Sequence, residues 1–416
     1  RKEYKKITQD RLERRSLNFT NVRKVKTKEG ARSHIYDIEN ISLTYAYADA
    51  TQSNVTTESY KLKSHRGTFA YNFSPQGGLV EPFKDSKSMK SKYLQLIKDF
   101  NFSILPSNIS FRADLNRRFV KTQLRNSDLT TTGIRPYYEK FFTFNRMYNL
   151  RWALTKNLSF DYNARANTIV DEPFGDLDTQ EKTDEVWTNL KDFGRMKNFD
   201  QNISLNYRIP LDKIPLTNWI DSDFRYSVGY SWNAGAWSKI DSLNLQKILG
   251  NVSQNNREIG ITGKIDFVKL YNKSKFLRGI NTPPRRSSRS RSRPGSTQTQ
   301  DTTKTKKSEL KALKGFARFL MMIRSVNVTY NVREGTMLPG FASQPFLFGM
   351  DEDWSAPGWD FILGSQNPGI RDRAAENNWF VLDTLFSMPF TQMRSYDLNI
   401  KALVEPFKSF RIQFDA

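Results

Sequence analysis

The sequence predicts an all-β chain, a segment of a very large antiparallel transmembrane β-barrel of about thirteen strands with long loops and short helical inserts. Three observations predict it. Apolar and polar residues alternate with a period of two over many separate stretches. Aromatic residues are dense: Phe 30, Tyr 17 and Trp 8 make 13% of 416 residues, although only 38% are apolar and mean hydropathy is -0.65. Such a composition suits strands with an aromatic outer surface. No apolar run reaches the roughly 18 residues of a spanning helix, so any membrane crossing has to be made by strands; the best, Phe316 to Ile323, is broken by Arg318.

In chain order, Arg1 to Arg15 reads as a charged helix or lead-in without the apolar core of a secretory signal. Leu17 and Phe19 open a strand, and Ile41, Leu43, Tyr45 and Tyr47 alternate with Ser42, Thr44 and Ala46 in the next. Polar residues 49–66 read as a connection to Phe69, Tyr71 and Phe73, followed by a Gly- and Pro-rich loop and a short helix from Ser86. Phe100, Phe102 and Ile104 then face Ile109, Phe111, Ala113 and Leu115 in a predicted hairpin, with Pro106 and Asn108 supplying the turn.

Phe142, Phe144, Tyr148, Leu150, Trp152 and Leu154 share a face interrupted by Arg146. After a turn at Lys156 and Asn157, Leu158, Phe160, Tyr162, Ala164 and Ala166 oppose Ser159, Asp161, Asn163 and Arg165. An acidic loop, 171–185, leads to Ile203, Leu205, Tyr207 and Ile209, then to Phe224, Tyr226, Val228, Tyr230 and Trp232, then to Ile259, Ile261, Ile265 and Phe267. Residues 279–308 are Arg/Ser-rich and almost without apolar side chains, a composition of disorder. Val326, Val328, Tyr330 and Val332 resume the alternation, 334–392 form a long Gly/Pro/Trp-rich loop region, and a last hairpin carries Leu398, Ile400, Phe410 and Ile412.

Short turns at Pro106, Asn157, Pro215 and Pro406 alternate with loops 120–140, 169–198, 234–257 and 334–392, the asymmetry of outer-membrane barrels. If the short turns are periplasmic, those loops lie outside and the Arg/Ser insert is periplasmic. The odd strand number and the abrupt ends predict an internal piece of a larger barrel. Alternation alone also suits a soluble sandwich; strand length and aromatic density favour the barrel.

Chemistry-bearing constellations are few. There is no cysteine, and the two histidines, His34 and His65, sit in predicted polar connections, so no Ser/His/Asp site is expected and the chain reads as no enzyme. Asp351, Glu352, Asp353 and Asp360, or Asp171, Glu172, Asp176 and Asp178, lack EF-hand spacing and read as solvated loops; no metal or cofactor is expected. The net charge of +22 is concentrated in residues 1–28 and 285–307. The latter run has no aromatic residue to stack on bases, so no nucleic-acid partner is expected, although a soluble basic nucleic-acid-binding β protein stays an alternative.

Met337 to Gln366 carries LPGF at Leu338, Pro339, Gly340 and Phe341, FLFGMD ending in Gly349, Met350 and Asp351, then Trp354, and APGWDFILGSQ with Pro357, Gly358, Trp359 and Asp360. This run resembles the SprA/Sov family, the outer-membrane translocons of the Bacteroidetes type IX secretion system that serve protein secretion and gliding motility. The resemblance implies a protein-conducting pore exporting folded cargo, with the remaining segments of the same barrel, a shuttle barrel of the PorV type, a plug protein and secreted cargo proteins as partners. The motif loop is then a candidate for gating or partner contact, with Trp354, Trp359, Phe346 and Phe348 expected to form a small satellite core. In that reading Ile109, Phe111, Phe160, Tyr162, Tyr226, Val228, Leu398 and Ile400 meet outer-membrane lipid. Arg112, Asp114, Asn116, Asp161, Asn163, Arg165, Arg225 and Lys401 line the pore. An unrelated porin or nutrient-transporter barrel would share every strand feature and lack only the motif.

Overall fold

A strand whose alternate residues differ in polarity is stable only beside neighbours in matching register, and here that pairing runs through nearly the whole chain. In the computed structural model, which describes residues 8–26, 34–75, 78–86, 91–126, 133–238, 244–281, 315–381, 388–407 and 410–416, twelve strands form one antiparallel sheet. The strands are β1 (Arg11–Val22), β2 (Ile41–Ser53), β3 (Thr57–Phe73), β4 (Leu79–Val80), β5 (Phe102–Ser103), β6 (Asn108–Leu124) and β7 (Tyr137–Ala153). They continue with β8 (Leu158–Ile169), β9 (Arg195–Ile209), β10 (Ile220–Asn233), β11 (Asn251–Asp266), β12 (Ile323–Phe341), β13 (Thr391–Phe407) and β14 (Phe410–Asp415). The order is sequential, β1-β2-β3-β6 through β14, with β4 and β5 paired apart; β1 and β14 are open edges, and the sheet is not closed.

Several sequence expectations are corrected. The hairpin about Pro106 does not exist: β5 pairs with β4, and β6 pairs with β3 along Thr57 to Phe73. That long ladder, matching Phe69, Tyr71 and Phe73 with Ala113, Phe111 and Ile109, outweighs anything a two-residue strand offers. Residues 49–66 are not a connection but the facing ends of β2 and β3, turned at Asn54, whose Oδ1 accepts from Thr56 N and Thr57 N. His65 therefore lies in a strand. Residues 11–15 belong to β1 and not to a helix, and β6, β7 and β13 each run 17 residues. The acidic loop holds a helix, Gln180–Lys191, capped by Thr179. The strand β12 extends through Phe341, so LPGF is strand and not loop. Of the Arg/Ser segment, 279–281 end a helix, and 282–308 lie outside the described residues.

The connections sort by end. The 154–157 and 210–219 turns share one end, the turn end, with an insert between β3 and β6 and with the β11–β12 connection that holds the Arg/Ser run. The β6–β7, β8–β9, β10–β11 and β12–β13 connections leave and return at the loop end.

Candidate functional site

Directly opposed residues of an antiparallel pair share a face, so the registers sort every strand residue onto one of two faces. One row runs Phe73, Ile109, Leu150, Tyr162, Ile203, Val228, Arg257, Glu334, Arg394 from β3 to β13. All eight residues assigned above to lipid lie on this face, and all eight assigned to the pore lie on the other. On the first, rings contact across strands: Phe69 and Phe111 at 6.1 Å, Phe111 and Tyr148 at 5.1 Å.

Toward the loop end this apolar face turns polar, and from β13 to β2 the change comes later overall but not strand by strand, since Gln201 on β9 and Arg146 on β7 stand on this face two and four positions beyond the row. On β11, β12 and β13 the first charges, Arg257, Glu334 and Arg394, stand in the row itself. Thr168 on β8 is six positions beyond it, Arg117 on β6 eight, and Asp49 on β2 about ten. Roughly 33 Å of stagger along the strands over nine steps, roughly 43 Å across them, is a slope of about 37°. A level boundary crossing tilted strands produces that diagonal, and barrel strands tilt by about 35–45°.

The opposite face is ionic. Arg112 Nε donates to Asp114 at 2.8 Å, Arg333 to Asp397 at 2.7 Å, and Arg151 and Arg208 stand 3.5 and 3.6 Å from Asp161 and Asp221. A hollow of about 710 Å³ on this face is lined by residues of β7 to β12, among them Arg151, Arg208, Asp223, Arg225 and Glu258. Six strands share one hollow only if the sheet curves toward it, so the ionic face is concave there.

The 342–381 segment folds back over the apolar face near the loop end, a cap on β8 to β12. Its buried side chains are Met350, Ala356, Phe361, Ile362, Ile370, Ala374 and Trp379, packed on Phe199, Tyr230, Trp232 and Leu338. Trp232 is fully buried, and its Nε1 donates to Ser343 O at 3.0 Å. Gly349 and Gly364 have φ of 85° and 88°, and a Cβ on either would lie 2.8 Å from Tyr230 or Val228. Only glycine permits that backbone and that approach. Polar strand residues tie the cap down: Asn255 Nδ2 donates to Phe361 O at 2.7 Å, and Thr336 Oγ1 to Gln366 Oε1 at 2.6 Å.

The expected satellite core is therefore wrong in its members. Phe346, Phe348, Trp354 and Trp359 are exposed, and Trp354 stacks on Trp359 at 5.7 Å. Val228, assigned to lipid, is 1% exposed, and Tyr226 donates its hydroxyl to Leu363 O, because the cap covers them. Asp351 organises a turn, accepting from Ser355 N and Ala356 N, while Asp360 pairs with Arg373. No family model and no curated protein matches the chain.

The acidic residues weighed as cation ligands are engaged elsewhere: Asp171 with Arg195, Glu172 with Arg117, Asp176 with Lys121, Asp178 with Lys182. Among the described residues no group of three or more His, Asp or Glu converges as a metal site would.

At the turn end, the β3–β6 insert packs against the other turns. Asn101 Oδ1 accepts from Lys156 N at 2.7 Å, Ser103 N donates to Leu154 O at 2.9 Å, and Lys213 Nζ reaches Asp99 at 2.7 Å. Lys156 and Lys84 both bond Glu81 and hold its carboxyl down to about 2. The hydrogen bond to Asp99 raises the Lys213 ammonium. Sequence reasoning missed this clamp because its partners are far apart in the chain.

Proposed function

We propose that the chain forms part of the wall of an outer-membrane β-barrel and, more specifically, of the protein-conducting pore of a type IX secretion translocon. The observation that supports the membrane reading is the overall diagonal of the apolar face's edge between β13 and β2, as a flat boundary over tilted strands would leave it. The curved, ionic opposite face suits a hydrated lumen that offers folded cargo no large apolar patch. Open edges at β1 and β14 leave backbone groups for further strands of the same barrel.

The secretion reading rests on the Met337–Gln366 resemblance. The exposed Phe346, Phe348, Trp354 and Trp359 then give the cap a surface for the shuttle barrel, and the path is passive and gated, with no reaction catalysed. Two measurements test the two levels. The chain should leave cell membranes only with detergent; release by salt alone refutes the barrel. Deleting Asp351–Trp359 within the secreting organism's own gene should abolish or impair cargo export while the protein stays in the membrane fraction; normal export refutes the translocon role of the cap.

A further inference from the structure

Between the insert and the turn-end edge of β8 to β10 lies a cleft of about 740 Å³, within the size range of small-ligand sites. Its walls are of two kinds. Leu96 and Phe100 of the insert face Leu158, Leu205, Tyr207 and Phe224, which belong to the apolar face of the sheet. Lys84, Lys98, Lys156 and Lys213 stand at its rim together with Glu81 and Asp99, and Asp85 and Asp212 lie near Lys84 and Lys213. Glu81 serves two of these lysines and Asp99 a third, and Lys98 has no carboxylate partner among the described residues. The insert also leaves Leu94, Ile97, Phe102, Ile104 and Leu105 uncovered, 37–66% exposed. That pattern suits a segment lying at a membrane interface.

We propose that this cleft holds one glycerophospholipid, its acyl chain against Leu96, Leu158, Leu205 and Phe224 and its phosphate on Lys98. The inference rests on the membrane reading and adds a defined lipid site to it. Continuity decides the occupant: the apolar wall of the cleft is the end of the same face that would meet the bilayer, so an acyl chain enters without crossing water. Lys98, the rim lysine without a carboxylate partner among the described residues, matches an anionic headgroup and not an apolar or cationic partner.

The test uses the full chain in vesicles of phosphatidylcholine containing phosphatidylglycerol with a photoreactive diazirine on its acyl chain, followed by peptide mapping of the label. Label should concentrate on 95–100 and 205–210 over Val326–Val332 and Leu398–Ile400. Lys98→Glu should lower it about fivefold or more at those peptides only, as loss of one interfacial cation predicts. Leu96→Trp, at an exposed position that leaves the strands intact, should exclude the chain and lower it as well. Label spread evenly over the apolar face overturns the site and spares the membrane reading; absence of label from every strand overturns both. Displacement by a lipid A analogue at lower concentration than by unlabelled phosphatidylglycerol overturns the choice of glycerophospholipid.

Discussion

Phe111→Arg separates a hydrocarbon-facing sheet from a water-facing one. Phe111 lies between Phe69 at 6.1 Å and Tyr148 at 5.1 Å, three strands deep in the sheet and away from the cap. Losing two ring contacts costs about 1–3 kcal/mol in any solvent. If lipid meets this face, an arginine near the midplane adds about 2–4 kcal/mol, for a total of about 3–7. Arg112→Ala, one residue on and on the other face, breaks only an exposed pair with Asp114 and should cost about 0–1 kcal/mol. The assay is urea titration of the chain folded into phosphatidylcholine vesicles, followed by tryptophan emission and by protease protection. A Phe111→Arg loss no larger than the ring contacts alone refutes the assignment of lipid to this face.

Trp232→Ala should cost about 3–5 kcal/mol, removing a fully buried indole and its bond to Ser343, and should make the 342–381 segment protease-sensitive before the strands. Gly349→Ala should loosen the same segment by about 1–3 kcal/mol, since its Cβ would lie 2.8 Å from the Tyr230 ring; limited proteolysis reads it. Acid should release the insert. The Glu81 carboxyl is held below its ordinary value, so its contribution is complete above about pH 4.5 and is lost as pH falls through about 2. Hydrogen exchange at 78–86 should rise over that window, and Glu81→Gln should flatten the profile.

Where one strand face carries a long apolar run, as in β6, β8 and β10, alternation located the strand and separated its two faces. It failed where both faces are polar. The first residues of β11, Asn251, Ser253 and Asn255, look like loop because their side chains are spent on the backbone of β12, on the Tyr230 hydroxyl and on the cap. Asp49, Thr51, Lys61 and Lys63 hid the ends of β2 and β3 for a related reason: past the apolar band no period is left to read. The cap core was half legible. Gly349 and Gly358, both at positive φ, stand in the motif as glycines that permit such backbone, but no local signal tells that Phe361 and Ile362 turn inward while Trp354 and Trp359 stay out. Partners such as Lys156 and Glu81 pair across 75 residues and leave no trace in local sequence.

The ionic face interleaves the two signs at spacings of a few ångströms, Arg208 beside Asp221 and Arg333 between Glu258 and Asp397. Fields from such close opposites cancel within about one screening length, near 8 Å at physiological salt. A polypeptide travelling past that wall would be neither pulled by its isoelectric point nor held by it, and its transit should be almost indifferent to ionic strength. Selection would then have to be exercised at the doorway and not along the corridor.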